Sequence, residues 1–511
     1  MRTDQKNASQ GITQVIAASS LGTLIEWYDF YIFGSLAVII GQQLFPSDAG
    51  ASALINTLAI FAAGFIVRPF GALVFGRLGD LIGRKYTFLL TLVLMGGSTF
   101  LIGLIPSYES IGYAAPILVL ILRLVQGLAL GGEYGGAATY VAEHAPVGRR
   151  GFFTSWIQTT ATLGLFLSLG VILLTKQIIG DDAFSSWGWR VPFLLSILLV
   201  GVSIYIRMKM HESPVFTKLK AEGKVSANPL KESFQKKANF KMVLLALFGA
   251  TMGQGVIWYT GQFYAQSFLE NTCKIDFNES RYILLWAILF ATPFFVIFGA
   301  WSDRVGRKWI MLTGMLLGVF CYRPIYQYFF DTTNVTELQK SVSVETSRIH
   351  TERGYVSGTR DSITTVRKYK ELANGITFTE ATVTVLPDDV LAPVPEVQTL
   401  ISEVKLPQKE YIIFILLVFF QVLLVTMVYG PIAAFLVELF PTQIRYTSMS
   451  LPYHIGNGVF GGLVPFIATL IASFNGSTPL SGLWYPIGIA ALSCVIGAVY
   501  INNDVHKQAM E

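Results

Sequence analysis

Gly76-Arg-Leu-Gly-Asp80-Leu-Ile-Gly83-Arg84-Lys85 returns later in the chain as Gly299-Ala-Trp-Ser-Asp303-Arg-Val-Gly306-Arg307-Lys308, 223 residues further on. A second pair follows in the same order. Val141-Ala-Glu143-His-Ala-Pro146 with Arg150 returns as Leu436-Val-Glu438-Leu-Phe-Pro441 with Arg445, at an offset of 295. Two motif pairs in one order mark an internal duplication, in which each copy is one structural unit. The offsets differ by 72 residues, so the second copy holds an insertion, and the polar stretch from Asp331 to Gln408 accounts for it.

The material between the motifs fixes the fold class. The chain has 511 residues, 53% of them hydrophobic and only 14% charged, against about a quarter charged in soluble proteins. Apolar runs near 14–42, 52–79, 86–106, 115–142, 153–176, 189–209, 241–269, 281–300, 309–330, 410–438, 446–474 and 481–501 each approach the roughly twenty residues that cross a bilayer. The expectation is an all-α polytopic membrane protein of twelve transmembrane helices in two six-helix repeats. Its divisions are 1–209, a linker at 210–240, 241–330, the insert at 331–408, and 409–511. Such a composition argues against nucleic-acid binders and secreted disulfide scaffolds, and the net charge of +5 reads as charged loops. Cys273, Cys321 and Cys494 lie far apart without metal-ligand spacing.

Basic residues orient the spans. Arg77, Arg84 and Lys85, then Arg149 and Arg150, Lys218 to Lys237, Arg304 to Lys308, and Arg445 follow the even-numbered spans, while the loops after spans 1, 3 and 11 carry almost none. The positive-inside rule then places both termini and the linker in the cytoplasm and the insert outside. The first span contains Glu26 and Asp29, unlike a cleavable signal, so it is expected to serve as its own targeting segment. In the insert, Ser341–Val344 and Ile376–Val385 alternate apolar with β-branched polar residues, the latter bounded by Asn374-Gly375 and Pro387, which predicts a small β-rich domain.

In the repeated motif, Asp80 and Asp303 stand at helix ends where they can meet Arg84, Arg307 or the positive N-terminus of a neighbouring helix. Contacts present in one arrangement of the halves and broken in the other form a conformational latch, with Glu143, Arg150, Glu438 and Arg445 as its second layer. The plainer alternative is that these charges only set topology.

Paired motifs, twelve spans and a central basic loop resemble the major facilitator superfamily. More narrowly, Gly22-Thr-Leu-Ile-Glu26-Trp27-Tyr28-Asp29-Phe30, Arg68-Pro69-Phe-Gly71, Arg123-Leu-Val-Gln126-Gly127, Gly131-Gly132-Glu133-Tyr134-Gly135-Gly136, and Phe460-Gly461-Gly462 with Pro465 resemble the metabolite:proton symporters, which include the alpha-ketoglutarate, shikimate and proline/betaine permeases. The resemblance spans both halves and leaves out 331–408. It implies transport by alternating access, with no cofactor beyond the proton as coupling ion, and a span 1 acid working with the span 4 arginine.

Charges inside spans are functional candidates because each costs several kcal/mol unless paired or hydrated. Proton coupling requires a carboxylate whose proton affinity changes with conformation, rising as water is lost and falling as an arginine approaches. Asp29 with Arg123 fits this need, with Glu26 and Glu133 as further candidates; a static salt-bridge network is the alternative. Arg68 suits a substrate carboxylate bidentately, or serves as a partner for Glu26. The second half offers hydrogen-bonding and aromatic surface instead: Gln254, Trp258, Tyr259, Gln262 and Tyr264 in span 7, Tyr429 in span 10, and Tyr453, His454 and Asn457 in span 11. Of these, Gln254, Tyr259, Tyr429, His454 and Asn457 join Arg68 as expected substrate contacts. Gly253 and Gly255 should break span 7, and Pro452, Gly456 and Gly458 span 11, to bend gating helices.

The expected function is secondary active, proton-coupled uptake of a small metabolite, most simply an organic acid, across the cytoplasmic membrane by a monomer. The alternatives are an uncoupled facilitator or exporter and a transporter-like nutrient receptor that reads ligand with the insert. No phosphate-binding loop, nucleophile–base pair or metal-ligand spacing supports an ATP-driven pump or an enzyme.

Overall fold

The computed structural model describes residues 12–46, 51–146, 148–208, 212–355, 362–386, 397–474 and 476–502. The side chains of Glu26 and Arg84 and the Pro387 boundary of the insert's strand lie outside that description. Among the described residues, eleven helices are long and apolar enough to cross a bilayer, and the bent pair Thr23–Ser35 with Ala37–Leu44 makes a twelfth. In chain order they are α1 (Ile12–Ser35, continued by Ala37–Leu44), α2 (Ala51–Ile66, continued by Arg68–Leu81), α3 (Arg84–Leu104), α4 (Ala114–His144), α5 (Arg150–Ile179) and α6 (Val191–Met208). The second half repeats them as α7 (Lys237–Thr272), α8 (Phe277–Val305), α9 (Arg307–Thr333), α10 (Gln408–Leu439), α11 (Arg445–Ser473) and α12 (Trp484–Tyr500).

Large apolar side chains such as Phe70, Leu198, Phe320 and Val499 are exposed on the flanks, where lipid rather than water is their solvent. Across the halves, α5 packs on α8 and α2 on α11. The repeated motif forms the α2–α3 and α8–α9 turns, where Gly83 (φ 120°) and Gly306 (φ 92°) take backbone conformations that side chains resist. The end of the bundle bearing these turns and the linker is called the basic end, and the opposite one the insert end.

Several helices break or bend within their spans. The first bends by 62° at Leu36, between Ser35 and Ala37. The second breaks at Val67, because Pro69 needs a helix start before it, and this makes Arg68 the first residue of the new segment. In α7 the irregular stretches are π-helical turns at Leu247–Thr251, Thr260–Tyr264 and Phe268–Thr272, whereas Gly253 and Gly255 sit within the regular segment Met252–Tyr259. Gly255 is there for contact: a Cβ on it would stand 2.4 Å from the Gly456 carbonyl oxygen of α11. The expected break in α11 takes the form of a π-helical run, Ile455–Gly461.

The insert is a four-stranded antiparallel meander, β1 (Val344–Tyr355), β2 (Ser362–Leu372), β3 (Thr377–Leu386) and β4 (Val397–Lys405). The Asn374-Gly375 turn joins β2 to β3 as the sequence predicts, with Gly375 at φ 83°. Ser341–Val344 departs from expectation: Val335–Ser341 is a short helix, and the strand begins only at Val344. Val335, Leu372, Ile376, Phe378 and Val404 form the insert's own small core.

The sheet is stitched to the bundle through the α7–α8 turn. The Val404 N–H donates to the Lys274 carbonyl at 2.8 Å, the Asp276 N–H donates to the Val404 carbonyl at 3.0 Å, and the Leu406 N–H donates to Glu279 at 3.1 Å. Val404→Pro removes a buried donor whose loss costs about 1–3 kcal/mol. Amide exchange over residues 270–280 should then quicken by roughly tenfold or more with the helices unaffected; unchanged exchange would mean the stitch carries no load.

Candidate functional site

At the basic end each half caps a helix of the other. Asp80 accepts from the Thr447 N–H at 2.9 Å and hydroxyl at 2.6 Å, at the first turn of α11. Asp303 accepts from the Gly151 and Phe152 N–H groups, both at 2.8 Å, at the first turn of α5. A carboxylate at a helix N-terminus meets unsatisfied donors and the positive end of the dipole together. Arg307 adds a fork, to Asp303 at 2.7 Å and to Glu438 at 3.0 Å. Glu143 pairs with Arg445 across the halves at 3.6 Å and also accepts from Ser213 of the linker. Arg150 keeps a buried Nε without a hydrogen-bond partner. The Tyr446 hydroxyl donates to the Gly132 carbonyl, adding to the closure of this end.

Between the two ends lies a cluster of buried polar groups. Asp29 is 1% exposed, and its Oδ1 has no hydrogen-bond partner. Arg123, also 1% exposed, does not pair with it. The Arg123 Nη1 donates to Gln126 at 2.7 Å, the Gln126 amide donates to the Thr99 hydroxyl at 2.5 Å, and Thr99 is the neighbour of Asp29. The Arg123 guanidinium lies 4.9 Å from the Phe30 ring centre and 4.2 Å from that of Phe33, while its Nε and Nη2 stay unpartnered. Arg68 faces the same Phe30 ring at 4.5 Å and Phe65 at 4.1 Å, with Nε and Nη2 likewise unpartnered. No carboxylate among the described side chains pairs with either arginine, and aromatic faces supply part of the missing compensation.

Glu133 behaves differently from the proton-carrier expectation. It is locked by Arg207 of α6 in a buried fork, with Thr91 donating at 3.2 Å as well. Arg207 lies 74 residues from Glu133 and is not among the candidate residues the sequence singles out. The expected partnership of Arg68 with Glu26 falls outside the described side chains.

From the second half, Gln254 and Asn457 exchange amide hydrogen bonds of 3.1 and 2.8 Å, so each satisfies the other and ties α7 to α11. The Tyr429 and Tyr453 hydroxyls meet at 2.6 Å, and the Tyr453 ring stacks 3.5 Å from that of Tyr134 across the halves. His454 is 2% exposed with neither ring nitrogen bonded, and the buried Tyr259 hydroxyl has no partner either. Arg68, Tyr453, His454 and Asn457 line a cavity of about 20 Å³, room for one water. Toward the insert end, Phe61 and Phe263 close over it with ring centres 6.3 Å apart, and above them opens a vestibule of about 370 Å³. The conformation is therefore shut at the basic end, pinched over the centre and open at the insert end.

A bundle of two six-helix repeats, with buried unpaired charges inside it and reciprocal caps at one end, has the architecture of a membrane transporter. It is not an enzyme. Residues 15–344 match the family described as "Sugar (and other) transporter", and the chain belongs to that family, within the major facilitator superfamily. An inner membrane metabolite transport protein of Escherichia coli, YhjE, is 30% identical over 506 residues, covering 97% of this chain and 95% of that protein. The alpha-ketoglutarate permease of Escherichia coli is 36% identical over 310 residues, covering 60% of this chain and 70% of the permease. The structure of the proton:xylose symporter XylE shares the fold, with a TM-score of 0.64 at 15% identity and 96% of each chain covered.

The Glu133–Arg207 pair gives a stability prediction. Arg207→Met strands a buried carboxylate and should cost about 3–5 kcal/mol, while adding Glu133→Gln should restore most of it. Thermal unfolding of the purified protein measures both; a double variant no better than the single one would refute a coupled pair.

Proposed function

We propose that the chain couples inward proton flow to uptake of a small organic acid across the cytoplasmic membrane, working as a monomer with the basic end and both termini in the cytoplasm. The observation that carries this reading is a set of three buried charges in the first half: the carboxylate Asp29, linked to Arg123 only through Thr99 and Gln126, and the guanidiniums Arg68 and Arg123, which no described acid neutralises. Two cations without counter-charges form a site whose missing partner is an anion. Arg68 takes the substrate carboxylate, because its free Nε and Nη2 are a bidentate fork and it lines the central cavity with His454.

Asp29 is the proton carrier. Gln126 and Thr99 stand between it and Arg123 in this conformation. Closure of the insert end and release of the Asp80 and Asp303 caps let Arg123 shift against Asp29, which expels the proton to the cytoplasmic side as the substrate leaves. The proton is the only coupling ion, and no other cofactor takes part.

Uptake into proteoliposomes tests the assignment, with the substrate first found by thermal-shift screening of organic acids. Arg68→Gln should raise the half-saturating concentration by about a hundredfold, from roughly 3 kcal/mol of charge-assisted hydrogen bonding. Asp29→Asn should retain exchange of internal for external substrate while losing accumulation driven by an inward proton gradient. Gradient-driven accumulation by Asp29→Asn at the wild-type level would overturn the role of Asp29.

A further inference from the structure

The vestibule at the insert end is built from both halves, and the closed central cavity beneath it is too small for any solute larger than water. Its walls are apolar: Phe61 from α2, Phe263 from α7, and Pro465 with Phe466 from α11. Its volume of about 370 Å³ lies in the range of small-molecule sites. The rim residues Ser185 and Asn271 are exposed.

Among the described residues three charges line it, and two are already spent on each other. Arg281 is 2% exposed and held by Glu270 at 2.5 Å, by the Phe277 carbonyl at 3.1 Å and by the Ser35 carbonyl at 3.4 Å, across the halves at the bend of α1. Glu270 is further engaged by Gln266 at 3.1 Å and Ser280 at 3.0 Å. That leaves Lys176 at the end of α5. Its ammonium lies 4.6 Å over the Phe277 ring and 3.5 Å from Asp181, whose side chain is 78% exposed. An ion pair with so exposed a partner is weak, so a bound anion can replace Asp181 at little cost. The vestibule thus offers one exchangeable cation at the edge of an apolar, aromatic-walled chamber.

We propose that this vestibule is a second, outer binding site for an amphipathic monocarboxylate, with the carboxylate on Lys176 and the apolar body against Phe61, Phe263 and Phe466. The site is occupied while the bundle is open at the insert end and is separate from the Arg68 cluster. A ligand of this class wedged over the Phe61–Phe263 pinch holds the halves apart and slows the transport cycle.

Benzoate serves as the probe and uncharged benzamide as its control. In a background with Cys321→Ala and Cys494→Ala, a Ser267→Cys variant places a thiol on the vestibule wall, and its alkylation rate by a maleimide is followed without any proton gradient. Benzoate should slow alkylation and benzamide should not. Lys176→Gln should weaken benzoate protection by about tenfold or more and Lys176→Arg should preserve it, with the ligand-free alkylation rate unchanged in both as the check on folding. Arg68→Gln should leave protection intact, which separates the outer site from the central one and from the transport assignment. Absence of benzoate protection, equal protection by benzamide, equal protection in Lys176→Gln, or its loss in Arg68→Gln would each overturn the proposal.

Discussion

A charge buried in hydrocarbon without a partner is the constraint on which the rest of this structure depends. Asp29, Arg68 and Arg123 are each 2% exposed or less and unpaired with one another, where a lone charge costs several kcal/mol. The fold makes the arrangement tolerable locally. Phe30 contacts both guanidiniums, Gln126 and Thr99 give Arg123 a neutral hydrogen-bonded outlet, and His454 and Asn457 line the small cavity with Arg68. Where the structure does want a static pair it builds one, as Glu133 with Arg207 demonstrates within the same half. A satisfied pair and three unpaired buried charges thus lie in the same half, and the proposed function assigns the working role to the latter.

Holding such a site shut toward one side requires an interface that can also open. The reciprocal caps meet this need because a capped helix terminus is worth only about 0.5–2 kcal/mol. Asp80 on α11 and Asp303 on α5 repeat one contact about the duplication axis, so in the proposed cycle both are released together. In the proposed cycle their modest individual strength is within what the differential affinity of a bound substrate can offset.

The duplication, the number of spans and the position of the insert were all legible because they rest on long periodic signals. Asp80 and Asp303 could be placed at helix ends from the motif alone, though not which helix each would cap. Four features escaped. The Arg207 partner of Glu133 lies 74 residues away, beyond any local pattern. The bend at Leu36 directly follows Gly34-Ser35, a pair that permits a kink, and the Ser35 carbonyl there accepts from Arg281 of the other half; nothing local to the sequence announces that partner. Gln254 and Asn457 read individually as ligand groups but spend their amides on each other. In the insert, β2 carries Arg367-Lys368-Tyr369-Lys370, three charges within four residues that hide strand alternation.

The central claim is that Asp29 carries a proton inward with each substrate molecule. External pH, followed in lightly buffered proteoliposomes while substrate flows down its own gradient into the lumen, tests this most directly. The account predicts that the medium turns alkaline in step with substrate entry in the wild type, and that Asp29→Asn admits substrate with no such change. Alkalinisation that persists in Asp29→Asn, or wild-type substrate entry with no movement of protons, would contradict it.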